Sequence, residues 1–204
     1  MIAIIDYNVG NVFSIQNMLK SIGIESKITN DPSVINSSSK LILPGIGSFD
    51  EAAKLLYSNE LLKDSIINNV MTYEKPILGI CLGMQLLTEG SEEGNLPGLG
   101  FIPGKAHRFD KSSNFRVPHM GWNTLLFNDN NRLFNNLNPN ARFYFAHSYY
   151  VKTESKNHTL AETEYNLNFA SVINKANIYG VQFHPEKSHK FGKNFLKSFS
   201  ELQC

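Results

Sequence analysis

One short stretch has the makings of a nucleophile. In Pro76-Ile-Leu-Gly-Ile-Cys-Leu-Gly-Met-Gln-Leu-Leu87 an apolar run ends at Cys81, with glycines two residues before it and two after it. Gly79-Ile-Cys81-Leu-Gly83 has the shape of the G-x-S-x-G elbow with cysteine in place of serine. A sharp strand-to-helix turn crowds the backbone, and residues without a β-carbon relieve the clash. The turn also sets a sulfur at a helix N-terminus, where free N–H groups favour thiolate over a thiol of ordinary pKa ~8.5. A buried apolar cysteine closing a core strand fits the same pentapeptide, so the motif leaves both readings open.

A thiol nucleophile needs a base. His184, in Tyr179-Gly-Val-Gln-Phe-His-Pro-Glu-Lys-Ser188, follows an apolar run, and Glu186 stands two residues on. Residues i and i+2 of an extended segment share a side, which predicts that the carboxylate faces the imidazole, with Pro185 stiffening the presentation. Such a carboxylate holds the imidazole in one tautomer and favours imidazolium beside thiolate. Alone, His-x-Glu also describes an ordinary surface pair. The third candidate, Leu41-Ile-Leu-Pro-Gly-Ile-Gly-Ser-Phe49, closes an apolar run with two glycines one residue apart. It reads either as a plain strand-to-helix turn or as a loop aiming an N–H at a developing oxyanion, beside the N–H of Leu82. The loop matches neither G-x-G-x-x-G nor G-x-x-x-x-G-K-S/T, which disfavours nucleotide phosphate binding. Cys81 has no C-x-x-C partner, and no H-E-x-x-H pair points to a metal.

These residues need a scaffold. Apolar runs predict strands at Ile2–Asp6, Ile24–Ile28, Lys40–Leu43 and Pro76–Ile80, and helical spacing predicts helices at Val12–Ile22, Phe49–Tyr57 and Leu61–Met71. That alternation is the pattern of a parallel α/β sheet. Beyond the turns Leu96-Pro-Gly-Leu-Gly100 and Pro103-Gly104, the stretches Arg142–Tyr150, Leu160–Tyr165, Phe169–Lys175 and Ile178–Phe183 predict mixed or antiparallel strands added to the sheet. His189–Leu202 predicts a closing helix. Seven asparagines between Asn128 and Asn140, with Pro139, predict a polar surface loop. There is no internal repeat and no linker, so residues 1–204 read as one domain.

Composition narrows the class. A chain of 204 residues can bury roughly 70% of its unfolded surface. With 42% hydrophobic and 18% charged residues it is not mainly disordered, and 19 Lys+Arg against 18 Asp+Glu offer no global field for nucleic acid or an anionic membrane. Two cysteines, Cys81 and Cys204, are too few for a disulfide scaffold. The N-terminal run lacks a basic leader, and no apolar run approaches the roughly 20 residues of a membrane span. A soluble cytoplasmic protein with free thiols is expected, without metal or other cofactor.

Pro44-Gly-Ile-Gly47, Gly79-Ile-Cys-Leu-Gly-Met-Gln85 and Phe183-His-Pro-Glu186, in that order and spacing, resemble the class I (triad) glutamine amidotransferases. Further stretches look like the branch that serves imidazole glycerol phosphate synthesis: Asp6-Tyr-Asn-Val-Gly-Asn11, Ser91-Glu-Glu-Gly94, Gly98-Leu-Gly100, Val117-Pro-His-Met-Gly-Trp-Asn123, Phe143-Tyr-Phe-Ala-His-Ser-Tyr149 and His184-Pro-Glu-Lys-Ser188. The likeness runs from the first strand to the final helix.

The resemblance implies a flavodoxin-like, three-layer α/β fold with a largely parallel central sheet, and hydrolysis of L-glutamine to glutamate and ammonia. By position, Cys81 is then the nucleophile, His184 the base and afterwards the acid, and Glu186 the orienter. Gly47 and Leu82 supply oxyanion N–H groups; Gln85, His147, Ser148 and Tyr149 hold the glutamine. Asn11, Trp122, Tyr144 and Lys187 match positions near a partner interface. For His147 a buried, hydrogen-bonded core histidine is an equal reading, and for Trp122 ordinary core packing is the weightier one. The implied partner is a (β/α)8-barrel cyclase subunit that forms a heterodimer and uses the ammonia in histidine biosynthesis. Asn8-Val9 and Thr88 depart from the commoner Gly-Met and aromatic residues. They leave open a paralogue that feeds a sugar-amidating synthase. A non-catalytic regulatory subunit is disfavoured, because all three triad positions are filled.

Overall fold

The computed structural model describes residues 1–110, 115–127 and 131–202. It opens on β1 (Ile2–Ile5), buried along its whole length, with Ile2 and Ile4 in one apolar cluster and Ala3 and Ile5 in the other. There follow α1 (Val12–Ser21), β2 (Ser26–Thr29), α2 (Pro32–Ser37), β3 (Lys40–Gly45), α3 (Phe49–Ser58), α4 (Glu60–Met71), β4 (Ile77–Cys81) and α5 (Leu82–Leu86). The second half comprises β5 (Gly90–Ser91), β6 (Gly104–Arg108), β7 (His119–Thr124), β8 (Leu126–Phe127), β9 (Arg142–His147), β10 (Tyr149–Thr153), β11 (Thr159–Tyr165), β12 (Leu167–Lys175), β13 (Ile178–Val181) and α6 (His189–Glu201).

Strands β2, β1, β3, β4 and β13 lie side by side in that order, every pair parallel. Alternate side chains enter opposite layers. Ile15 and Leu19 of α1 and Phe195, Leu196 and Phe199 of α6 close over one face. Phe49, Ala52 and Leu56 of α3 and Leu62, Ile66 and Val70 of α4 close over the other. Past β13 the sheet turns mixed: β12 is antiparallel to β13, β10 to β12 and β6 to β10, and β5 runs parallel to β6. The fold is thus a flavodoxin-like three-layer α/β sandwich with a largely parallel centre. Among the described residues no helix is long and apolar enough to cross a membrane.

Several expectations are refined. The segment at 178–183 is no added rim strand; β13 pairs parallel with β4 and completes the parallel core, which Ile178 and Val181 fit by being buried. The stretch Arg142–Tyr150 is two strands. It breaks at Ser148 because β9 pairs with β7 in a separate two-stranded sheet, whereas β10 joins the large one. Helix α2 and strands β5, β6, β7 and β8 were not foreseen. Helix α2 carries its own start signal, Asp31 accepting the Ser33 N–H at 2.8 Å with Pro32 in the first turn. Strand β7 buries only His119, so its apolar alternation is faint, and β6 buries only Gly104 and Ala106. The asparagine-rich stretch is not wholly a surface loop: Leu133 and Phe134 are buried in a 3-10 turn over Arg132–Phe134. Residues 128–130 of that stretch, and Cys204, lie outside the described residues.

Candidate active site

Cys81 ends β4 with φ 55° and ψ −109°, a backbone setting that costs a side-chain-bearing residue about 1–3 kcal/mol. The elbow imposes it. A β-carbon at Gly79 would stand 2.6 Å from the carbonyl oxygen of Gly83, and one at Gly83 would run into the carbonyl of Leu43. Only glycine at both positions lets α5 turn back over β3 and β4. Cys81 then opens α5 as its cap residue, and the pairing of Gly45 with Cys81 brings the Pro44–Gly47 loop alongside.

His184 and Glu186 meet as expected, by a different route. The chain leaves β13 at Val181 and turns through a 3-10 turn, Pro185–Lys187, that is held by the Ser188 hydroxyl donating to the His184 carbonyl at 2.6 Å. Nδ1 of His184 lies 2.8 Å from Oε1 of Glu186, and both side chains are buried. The carboxylate fixes the proton on Nδ1 and leaves Nε2 to the sulfur. Burial opposes charge on the ring, but hydrogen bonds to Cys81 and Glu186 and their negative charge outweigh it and push His184 up to about 10.

Cys81 and His184 open into a cleft of about 470 Å³ whose walls include Ile46, Gly47, Leu82, Gln85, Glu93 and Tyr149. Gly47 has φ +87°, a conformation that glycine adopts freely. The loop's first carbonyl, Pro44, accepts from the buried Tyr7 hydroxyl at 2.6 Å. Burial, and then the charge of Cys81, raise the pKa of that hydroxyl, so it stays a donor. Glu93 was not foreseen. Its Oε2 accepts the Phe49 N–H at 3.0 Å. Burial, the main influence, raises its pKa, against which the Phe49 N–H acts. It presents a carboxylate to the cleft where a substrate ammonium can bind.

Gln85 donates to the Tyr149 carbonyl and to Gln182 Oε1, at 3.4 Å each, and its own Oε1 is buried without a partner among the described residues. His147 lines the cleft beside Ser148 and Tyr149, and its side chain is buried. There it packs on Phe109 and Phe169 and donates Nδ1–H to the Tyr149 carbonyl at 2.7 Å. Nε2 of His147 must then accept from Nδ1 of the unforeseen His119 at 3.0 Å. Burial pushes His147 down to about 3 and His119 to about 4. The core-histidine reading fits this geometry.

Three of the four interface candidates cluster together at the cleft's edge, with Lys187 also lining the cleft. Trp122, 45% exposed, stacks on His189 at 5.5 Å and meets Tyr144 edge-on at 6.0 Å, while the Lys187 ammonium lies 5.8 Å over the Tyr144 ring. Asn11 sits at the head of α1, where its side chain makes no capping bond. Gln182 and Tyr7 were legible in principle: Gln182 stands two residues before His184, and Tyr7 follows the first strand.

An elbow cysteine, a buried His–Glu pair and a glycine loop on this sandwich define an amidotransferase type of site. The glutamine amidotransferase class-I family model matches residues 3–201, and the chain belongs to that family. It is 56% identical over 200 residues to imidazole glycerol phosphate synthase subunit HisH 2 of Methanococcus maripaludis, covering 98% of each chain. With the subunit HisH 2 of Pseudomonas aeruginosa it shares 42% identity over 202 residues, covering 99% of this chain and 100% of the other. With the subunit HisH of Leptospira interrogans identity is 42% over 205 residues, at 99% and 100% coverage. Among solved structures, PurLQS from Thermotoga maritima matches with TM-score 0.70 at 19% identity, covering 98% of this chain and 96% of that one. That likeness speaks for the fold alone.

Proposed function

We propose that this chain is the glutaminase subunit of an imidazole glycerol phosphate synthase, working as one domain in the cytoplasm with no metal or cofactor. The observation that carries the chemistry is the buried His184–Glu186 pair at 2.8 Å beside an elbow cysteine in an open cleft. The full-length identity to subunits of that synthase supports the pathway. The Cys81 thiolate attacks the carboxamide carbon of L-glutamine, and the N–H groups of Leu82 and Gly47 stabilise the oxyanion. His184 gives its proton to the departing ammonia. Water, deprotonated by the same imidazole, then cleaves the glutamyl thioester to glutamate. Glu93 receives the substrate ammonium, and Gln85 helps hold the glutamine.

Ammonia released into water is protonated and lost as a nucleophile, so it passes directly to a partner. By the family likeness that partner is a (β/α)8-barrel cyclase in a heterodimer, docked over Trp122, Tyr144, Lys187 and Asn11. Asn8-Val9 and Thr88, which depart from the commoner residues, keep a second reading, a paralogue supplying a sugar-amidating synthase. Co-purification of the native complex decides the acceptor. In that complex Cys81→Ala abolishes glutamine-dependent synthesis and leaves synthesis from ammonium salts intact; loss of both in a folded complex refutes the division of labour.

A further inference from the structure

The nucleophile has a second hydrogen-bond partner besides His184. Gln182, fully buried near the end of the strand that leads to His184, points its Nε2 at the Cys81 sulfur from 3.7 Å. Its carboxamide is not free to face either way, because a chain of bonds fixes it. The Tyr149 carbonyl can only accept, so the Gln85 group facing it at 3.4 Å must be the NH2. That NH2 reaches Gln182 at 3.4 Å as well, so Gln182 must answer with Oε1 and turn its own NH2 to the sulfur. The Tyr149 carbonyl is in turn held by His147 at 2.7 Å, and His147 by His119 at 3.0 Å. Every link is buried or half-buried.

From this geometry we infer that Gln182 is a positioning residue for the nucleophile: its amide N–H, oriented through Gln85 and the Tyr149 carbonyl, holds the Cys81 sulfur as thiolate toward the cleft. The inference rests on the assignment of Cys81 as nucleophile. A hydrogen bond to the ionised form favours that form, and one to a charged acceptor outweighs a neutral one. In the reversed orientation Oε1 would face the sulfur and repel the thiolate. Once the thioester has formed the sulfur carries no charge, so the donor favours the state that attacks.

The test is alkylation of Cys81 by iodoacetamide in the full chain, comparing wild type with Gln182→Met, which keeps volume without the donor, and Gln182→Asn, which withdraws it by one carbon. Alkylation at pH 7 is expected to slow about ten-fold in either variant, and at pH 10, above the ~8.5 of an ordinary thiol, to stay within about twofold. Glutaminase kcat in the partner complex falls to a similar degree with KM little changed. Equal alkylation rates at pH 7 in a folded variant overturn the inference, as does a slowing of equal size at both pH values, which marks a change of access alone. Wild-type chain that is not labelled at Cys81 at all refutes the nucleophile assignment instead.

Discussion

The backbone N–H of His184 donates to the carbonyl of Tyr144 at 2.9 Å, and Tyr144 is the cross-strand partner of Trp122. The proposed base thus hangs from the small β7–β9 sheet, whose outer residues Trp122 and Tyr144 form an exposed aromatic cluster with His189 and Lys187. A partner seated on that cluster would touch the strand that places the imidazole. The proposed surface and the proposed chemistry are one hydrogen bond apart.

Within the His–Glu pair the two members should differ in weight. His184→Ala removes the proton donor and is expected to approach the loss seen for Cys81→Ala. Glu186→Gln keeps a hydrogen-bonding side chain at Nδ1 but not its charge, and should retain more activity, since an orienter matters less than nucleophile or base. Steady-state glutaminase kinetics in the complex measure both. A fully inactive Glu186→Gln beside a mild His184→Ala reverses the assignment.

The isolated chain is expected to be a poor glutaminase that the occupied partner switches on. Gly47, at φ +87°, lies in a loop whose peptides can present an N–H or a carbonyl to the oxyanion. One missing donor there costs roughly 10²–10³ in rate. Turnover is measured for the chain alone, with partner, and with partner plus acceptor analogue. Equal kcat in all three sinks the gate; a rise that Gly47→Ala reduces supports it.

Glu93→Gln keeps an acceptor for the Phe49 N–H but removes the charge facing the cleft. KM for glutamine is expected to rise about 10- to 100-fold, the weight of a hydrogen bond between charged groups, with kcat altered less. Unchanged KM removes Glu93 from the ammonium site.

The paired histidines should make the fold acid-sensitive. Burial lowers His147 to about 3 and His119 to about 4, below the 6.5 of an ordinary imidazole. Below pH 6.5 the unfolded chain binds protons that the folded one refuses, so stability is fully present above 6.5 and drains as pH falls through about 4. Urea midpoints between pH 7 and pH 4.5 should fall more steeply for wild type than for His147→Gln. Parallel slopes would show that the pair titrates normally.

Much of the site was legible from local chemistry. The elbow was readable because the clash that Gly79 relieves lies with Gly83, four residues on, although the one that Gly83 relieves lies with the distant Leu43 carbonyl; the first four strands follow from runs of apolar residues. His184 and Glu186 were readable as a pair because two residues of separation keep them close in either an extended segment or a 3-10 turn. What the tertiary structure decided is long-range. That β13 lies parallel beside β4, bringing residue 184 to residue 81, depends on sheet pairing that no local spacing encodes. Glu93 enters the cleft because the Asp50 carboxylate binds the N–H groups of Asn95 and Leu96 and docks their loop on α3. The burial of His147 likewise depends on where Phe109, Phe169 and His119 close around it. Side chains from distant segments converge only when burial of the whole core sets their strands in register. The sequence names the proposed reacting groups, and packing decides which further groups surround them.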